Sequence, residues 1–266
     1  MKNVILIKFG GSLITDKNQP FTAKPDILYQ LANEFKQIKM DFPEMDFILG
    51  HGSGSFGHNV AKKYQTRSGI STPDDWKGFV EVWAAARLLN TIVVETFLQN
   101  NINCISFPPS SIFKSDNGRA THAYLEPLIA SLNAGITPIL YGDVIFDDSR
   151  GGTILSTEDI FFYLTKYFNV QQILLSGIEP AIFSDFPQNN NPISKITLQN
   201  FSALEQKIGH SASPDVTGGM IEKVRLMMDL IKTHPHLKIN IFSASIPGNM
   251  EKILRNEAIG TTLIRE

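Results

Sequence analysis

The chain has 266 residues, 42% of them hydrophobic and 19% charged, with 24 Lys and Arg against 26 Asp and Glu. That length supports one sizeable core, and a formal net charge of −2 leaves no basic excess to meet a nucleic-acid backbone. A single cysteine, Cys104, excludes an internal disulfide framework and a Cys-rich zinc site, and no apolar run approaches the ~20 residues that span a bilayer. The expectation is a cytoplasmic globular protein with no nucleic-acid or membrane partner.

Val4-Ile5-Leu6-Ile7 begins a predicted strand over 4–9 that closes on Gly10-Gly11. Pro25 then opens a predicted helix over 25–40, with Ile27, Leu28, Leu31, Phe35 and Ile38 on one face. A second strand over 47–49 runs into a glycine loop over 50–58. Helix over 74–100, strand over 102–107, helix over 124–133 and strand over 137–141 continue the alternation. Residues 144–146 and 153–155 read as a β-hairpin beyond a sheet edge. Helix over 160–168, strand over 172–175, an irregular stretch over 183–215, helix over 220–233 and strands over 238–242 and 262–264 complete the chain. Strands separated by helices imply an α/β fold, a three-layer αβα sandwich on a mostly parallel sheet. The chain reads as one domain, 1–266, with two functional halves joined near residue 170.

In parallel α/β sheets, ligands gather at the carboxyl ends of the strands. There the sequence places Gly10-Gly11-Ser12, the glycines of 52–57, and Gly218-Gly219 ahead of the helix at Met220. Glycine lets backbone N–H groups approach an anion, and a helix N-terminus adds favourable partial charge. Neither G-x-x-x-x-G-K-[ST] nor a G-x-G-x-x-G after the first strand is present, which excludes a P-loop and disfavours a dinucleotide fold. Lys8 lies inside an apolar strand, where an unpaired ammonium is costly. Lys223 sits one turn into the helix behind Gly218-Gly219, a position that an anion would explain. With Lys17 in the first loop, these cations suit phosphoryl transfer, which needs positive groups around the moving oxygens.

The motifs resemble the amino acid kinase superfamily, and within it the isopentenyl phosphate kinase branch. The matching stretches are Lys8-Phe9-Gly10-Gly11-Ser12 with Asp16-Lys17, His51-Gly52-Ser53-Gly54-Ser55-Phe56-Gly57-His58, Tyr141-Gly142-Asp143-Val144, Thr217-Gly218-Gly219-Met220 with Lys223, and Gly260-Thr261. They span nearly the whole chain. The resemblance implies an enzyme that uses ATP and Mg²⁺ on a small phosphorylated acceptor, with 1–170 as the acceptor half and 171–266 as the nucleotide half. It assigns ATP to Lys8, Gly10, Gly11, Ser12, Ser55, Ser176, Gly218, Gly219 and Lys223. The acceptor falls to Gly54, Gly57, His58 and Thr157. Lys8, Lys17, His58, Glu158 and Lys223 become the catalytic set, with no protein-bound metal, and the helix over 74–100 is implied as a homodimer contact.

Three positions depart from the family pattern. Thr157-Glu158 stands where relatives carry glycine-aspartate, and Pro180 rebuilds a turn after the strand ending near Leu175. Three readings follow. The first is a kinase for isopentenyl phosphate, with Phe79, Val82, Trp83 and Ala86 as candidates to line a tail pocket. The second is a kinase for a phosphonate such as fosfomycin; a narrow polar pocket would select it. The third is a nucleotide- or phosphate-binding regulator without catalysis. A serine hydrolase is excluded by the lack of a G-x-S-x-G elbow, and the spacing of His51 and His58 does not suit zinc.

Overall fold

The computed structural model describes residues 3–208 and 219–266. Gly218, expected at the nucleotide, lies outside the described residues. β1 (Val4–Phe9) leads through the short α1 (Gly11–Ile14) to α2 (Pro25–Asp41), β2 (Asp46–His51), α3 (Gly54–Tyr64) and the long α4 (Pro73–Gln99). Then come β3 (Cys104–Ser106), α5 (Pro109–Ile112), β4 (Phe113–Asp116), β5 (Arg119–Ala123), α6 (Glu126–Asn133), β6 (Thr137–Tyr141), β7 (Asp143–Asp147), β8 (Gly151–Leu155) and α7 (Thr157–Leu164). The last part holds β9 (Val170–Gly177), β10 (Ile182–Phe183), β11 (Pro192–Ile193), β12 (Lys195–Ile196), α8 (Phe201–Glu205), α9 (Gly219–Thr233), β13 (Lys238–Ser243), α10 (Asn249–Leu254) and β14 (Thr261–Leu263).

Eight strands form the central sheet in the order β12-β14-β13-β9-β1-β2-β6-β3. Its pairings are parallel except β13 with β14. Both faces are covered, as an apolar parallel sheet requires. Alternation along β1 explains how. Ile5, Ile7 and Phe9 join a core with Leu28, Leu31 and Phe35 of α2 and Leu89, Val93 and Phe97 of α4. Val4 and Leu6 face the other way, into a core with Ile160 and Phe161 of α7 and Val224 and Met227 of α9. Lys8 has the parity of Leu6, so the strand delivers its ammonium to the α7–α9 side. The expected three-layer sandwich is the one observed.

Three local expectations change. The glycine loop ends sooner than expected, because α3 begins at Gly54, and His58 stands on that helix. Residues 160–168 were expected to be helix, but α7 starts at Thr157, where Ser156 and Asp159 form a reciprocal capping box: Asp159 N–H donates to Ser156 Oγ at 3.1 Å and Ser156 N–H to Asp159 Oδ2 at 2.8 Å. The hairpin over 144–155 does lie outside the main sheet, but it belongs to a second sheet, β5-β4-β7-β8, with an unforeseen partner hairpin. This small sheet roofs an apolar cluster of Ala61, Ile70, Phe79, Val82, Val144 and Ile154.

One carboxylate holds the two hairpin tips of that sheet together. Buried Asp147 accepts from Ser115 Oγ at 2.7 Å, from the N–H groups of Asn117 and Gly118 at 3.1 and 2.8 Å, and from those of Ser149 and Arg150 at 3.1 and 2.8 Å. Removing it strands several donors at once. Asp147→Ala is expected to lower the unfolding free energy by at least about 1–3 kcal/mol, measured by urea titration.

Candidate active site

The carboxyl ends of β1, β2, β6 and β9 open into one cavity of about 330 Å³, within the range of small-molecule sites. At its centre, Glu158 on the first turn of α7 bridges two lysines. Its Oε2 is hydrogen-bonded to Lys8 Nζ, and its Oε1 lies 3.4 Å from Lys223 Nζ on α9. Glu158 is 3% exposed and Lys8 9% exposed, so both charges have left bulk water. Burial alone would raise the Glu158 pKa; the Lys8 and Lys223 ammonium groups outweigh it and hold the carboxyl down at about 2. Among the described residues, two ammonium groups face one carboxylate, which makes the centre positive.

The glycine turns meet beside this triad. A Cβ on Gly11 would come within 2.6 Å of Gly54 Cα, so the two loops pack backbone against backbone. Thr15 bolts them together: its Oγ1 donates to Gly11 O at 2.7 Å and accepts the Ser55 N–H at 3.0 Å. Gly10 N–H donates to Ser176 O at 2.8 Å, and the Ser176 hydroxyl donates to Lys8 O at 2.8 Å. Thus Ser176 lines the cavity with its hydroxyl already engaged. Ser55 Oγ is buried with no hydrogen-bond partner among the described residues.

Of the residues singled out in the sequence, Lys8, Gly10, Gly11, Ser12, Lys17, Gly54, Ser55, Gly57, His58, Thr157, Glu158, Ser176 and Lys223 all line this cavity. Gly219 opens α9 but is not among the lining residues. Of the four tail-pocket candidates, Val82 lines the cavity; Phe79 and Ala86 are buried away from it, and Trp83 is 37% exposed on the outer face of α4. Beside His58 the wall is apolar, with Ala61, Val82 and Ile154. The lining contributed by 171–266 is also largely apolar, with Ile178, Phe183, Phe186, Ile208 and Phe242. Sequence reasoning missed these last residues because they come from loops and from several strand ends.

A divalent cation would have to find its ligands among the same residues. No cluster of three or more His, Cys, Asp or Glu side chains that could hold a metal occurs among the described residues. The acidic lining residues are Glu158, already shared by two lysines, and Glu179.

The triad makes a checkable statement about stability. Because the Glu158 pKa is depressed on folding, its contribution is present above the unfolded carboxylate pKa and is lost as pH falls toward about 2. Glu158→Gln is expected to cost about 3–5 kcal/mol near neutral pH, since it removes the buried carboxylate that both lysines share. Denaturant titrations of both proteins should show that difference shrinking between about pH 4.5 and pH 2.

Comparison with known proteins adds to this geometry. The Amino acid kinase family profile matches residues 3–242. Isopentenyl phosphate kinase from Methanocaldococcus jannaschii is 33% identical over 97% of this chain and 97% of its own length. The enzyme of the same name from Methanothermobacter thermautotrophicus is 27% identical over 98% of both chains. Among solved structures, an isopentenyl phosphate kinase superposes with a TM-score of 0.80 at 24% identity, over 98% of this chain and 100% of that one. A UMP kinase from Bacillus anthracis shares the fold at a TM-score of 0.66 and 15% identity, over 100% of this chain and 97% of its own. With a matched profile over most of its length and a relative this similar from end to end, the chain belongs to the amino acid kinase family.

Proposed function

We propose that this protein transfers the γ-phosphoryl group of ATP to isopentenyl phosphate, giving isopentenyl diphosphate and ADP. The observation that carries the reading is the positive Lys8–Glu158–Lys223 centre set between two apolar ends of one cavity. ATP occupies the half formed by 171–266, with its base toward Phe183, Phe186 and Ile208. The acceptor occupies the half formed by 1–170, with its phosphate at His58 and its tail against Ala61, Val82 and Ile154. That apolar wall favours a prenyl tail over a small polar phosphonate such as fosfomycin.

The chemistry needs position and charge more than covalent help. An oxygen of the acceptor phosphate forms the new bond to Pγ as the bond from Pγ to the bridging oxygen of ADP breaks. The acceptor is already ionised, so no general base is required. Lys8, Lys17 and Lys223 offset the repulsion between two anionic phosphates and follow charge onto the leaving oxygen. The Gly10 amide is spent on Ser176 O and the Ser55 amide on Thr15 Oγ1, so the amides of Gly11 and Ser12 and those near Gly54 cradle phosphate, and His58 donates to the acceptor. Magnesium would be held chiefly by the nucleotide's own phosphates and water, where it would supply charge neutralisation, since no cluster of carboxylates to hold it occurs among the described residues.

ADP release with Mg-ATP should require isopentenyl phosphate and remain at background with fosfomycin or no acceptor. His58→Ala is expected to lower kcat/KM about 10²-fold, as loss of one phosphate donor does. Val82→Phe, which fills the tail wall, should raise the acceptor KM with little change in ATP affinity by calorimetry. ATP binding without turnover on any acceptor would instead favour the regulator reading.

The same reading places the protein in the cytoplasm as a homodimer. Among the described residues no helix is long and apolar enough to cross a membrane. Trp76, Val80, Trp83 and Leu88 of α4, with Phe146 of β7, are exposed large apolar residues of the kind that pair across a two-fold axis. Light scattering is expected to return twice the chain mass of 29.6 kDa, and Val80→Asp to return the monomer.

A further inference from the structure

The departure at Thr157 has a structural counterpart 107 residues away in sequence, at Gly50. β2 is apolar along Phe47, Ile48 and Leu49, and its alternation turns position 50, like Ile48, toward α7. A Cβ there would collide with Thr157 Cγ2 and lie 3.0 Å from Phe161 Cζ. The missing side chain of Gly50 is therefore the space into which the Thr157 methyl fits. The Thr157 hydroxyl, fully enclosed, donates to His51 O at 2.7 Å, and that carbonyl also accepts the Gly142 N–H at 3.1 Å. One backbone oxygen thus ties the ends of β2 and β6 to the first turn of α7. The next residue on that turn is Glu158.

We infer that Thr157 is a positioning residue for phosphoryl transfer: its tether to His51 and its fit against Gly50 set the Glu158 carboxylate between Lys8 and Lys223. The inference rests on the kinase reading for its effect on rate, but not for its effect on Glu158. A glutamate reaches one methylene further than an aspartate and has one more rotatable bond, so its helix must be held at a defined distance from the lysines. The capping box at Ser156 and Asp159 fixes how α7 begins, and Arg67 Nη2, 3.6 Å from Asp159 Oδ2, supports it from outside. Neither contact fixes α7 against the sheet. The Thr157–His51 bond does. A shift near 1 Å in catalytic groups can cost about 10²-fold in rate, so a tether at this point is a strong lever.

Three variants separate tether from packing. Thr157→Val keeps the branched shape and removes the O–H. Thr157→Ser keeps the O–H and removes the methyl. The double variant Gly50→Ala/Thr157→Gly refills the gap from the strand side without a tether. Thr157→Val and the double variant are expected to lower kcat about 10-fold or more with a smaller change in either KM, and Thr157→Ser to recover most of the rate. Carboxyl NMR of Glu158 supplies a readout independent of substrate, with Lys8 from β1 and Lys223 from α9 as the charges facing it. In the wild type the group should stay ionised to about pH 2, and in the untethered variants it should titrate at higher pH.

If Thr157→Val lowers thermal stability but leaves both kcat and the Glu158 titration unchanged, the residue is packing alone and the inference is overturned. If it fails to fold, the double variant decides the same question. Absence of acceptor-dependent turnover in the wild type would sink the kinase reading, while the titration would still decide the tether.

Discussion

The Lys8 and Lys223 ammonium groups share one buried carboxylate, Glu158, and the placement of these charges depends on nearly every large element of the fold. An ammonium inside a parallel sheet is tolerable only when paired. β1 supplies the lysine by simple alternation, α7 brings the carboxylate from the layer above, and α9 adds the second cation. The apolar residues around them, Leu6, Ile160, Phe161 and Val224, exclude water and so strengthen each interaction. The result, among the described residues, is a centre with two ammonium groups to one carboxylate in a chain whose formal net charge is −2. A polyphosphate is the natural complement to such a charge.

Around the triad, the carboxyl edge of the sheet is stitched by bonds running from strand to strand. Ser176 Oγ reaches Lys8 O, Gly10 N–H reaches Ser176 O, Gly52 N–H reaches Phe9 O, and Gly142 N–H reaches His51 O. These bonds stiffen the backbone from which phosphate-binding amides would project. Rigid donors lose little on reorganisation, which is why preorganised amides stabilise developing charge better than mobile side chains. The two apolar ends of the cavity then give a substrate's non-reacting parts somewhere to bind, and binding energy gained there can hold two anions together at the reacting centre.

Much of this was legible in the sequence. The apolar strands, the anomaly of Lys8 within one of them, and glycines at the strand ends together indicated an anion site on an α/β sheet. The start of α3 was not legible, because Gly52-Ser53-Gly54-Ser55 has poor intrinsic helix propensity and the helix is settled by tertiary packing of Phe56 and Ala61. The β4–β5 hairpin was also passed over, although Asn117-Gly118 with φ of 47° and 77° is the turn such a hairpin prefers. Ser156 and Asp159 spelled a capping box that would have started α7 on time. The Gly50–Thr157 fit was out of reach, since each residue reads as an oddity alone and only the fold brings them together.

The two substitutions at 157 and 158 first read as signs of a site in decay. The structure argues otherwise. A longer carboxylate placed without support would hold the two ammonium groups less well, and a buried charge is costly when its counter-ion is displaced. Instead the threonine that adds bulk is accommodated by a glycine opposite, and its hydroxyl is bonded to the strand that carries the phosphate loop. Both unusual residues thus serve the charged centre as it stands: one carries the carboxylate that Lys8 and Lys223 share, and the other is bonded to the strand that leads into the glycine loop.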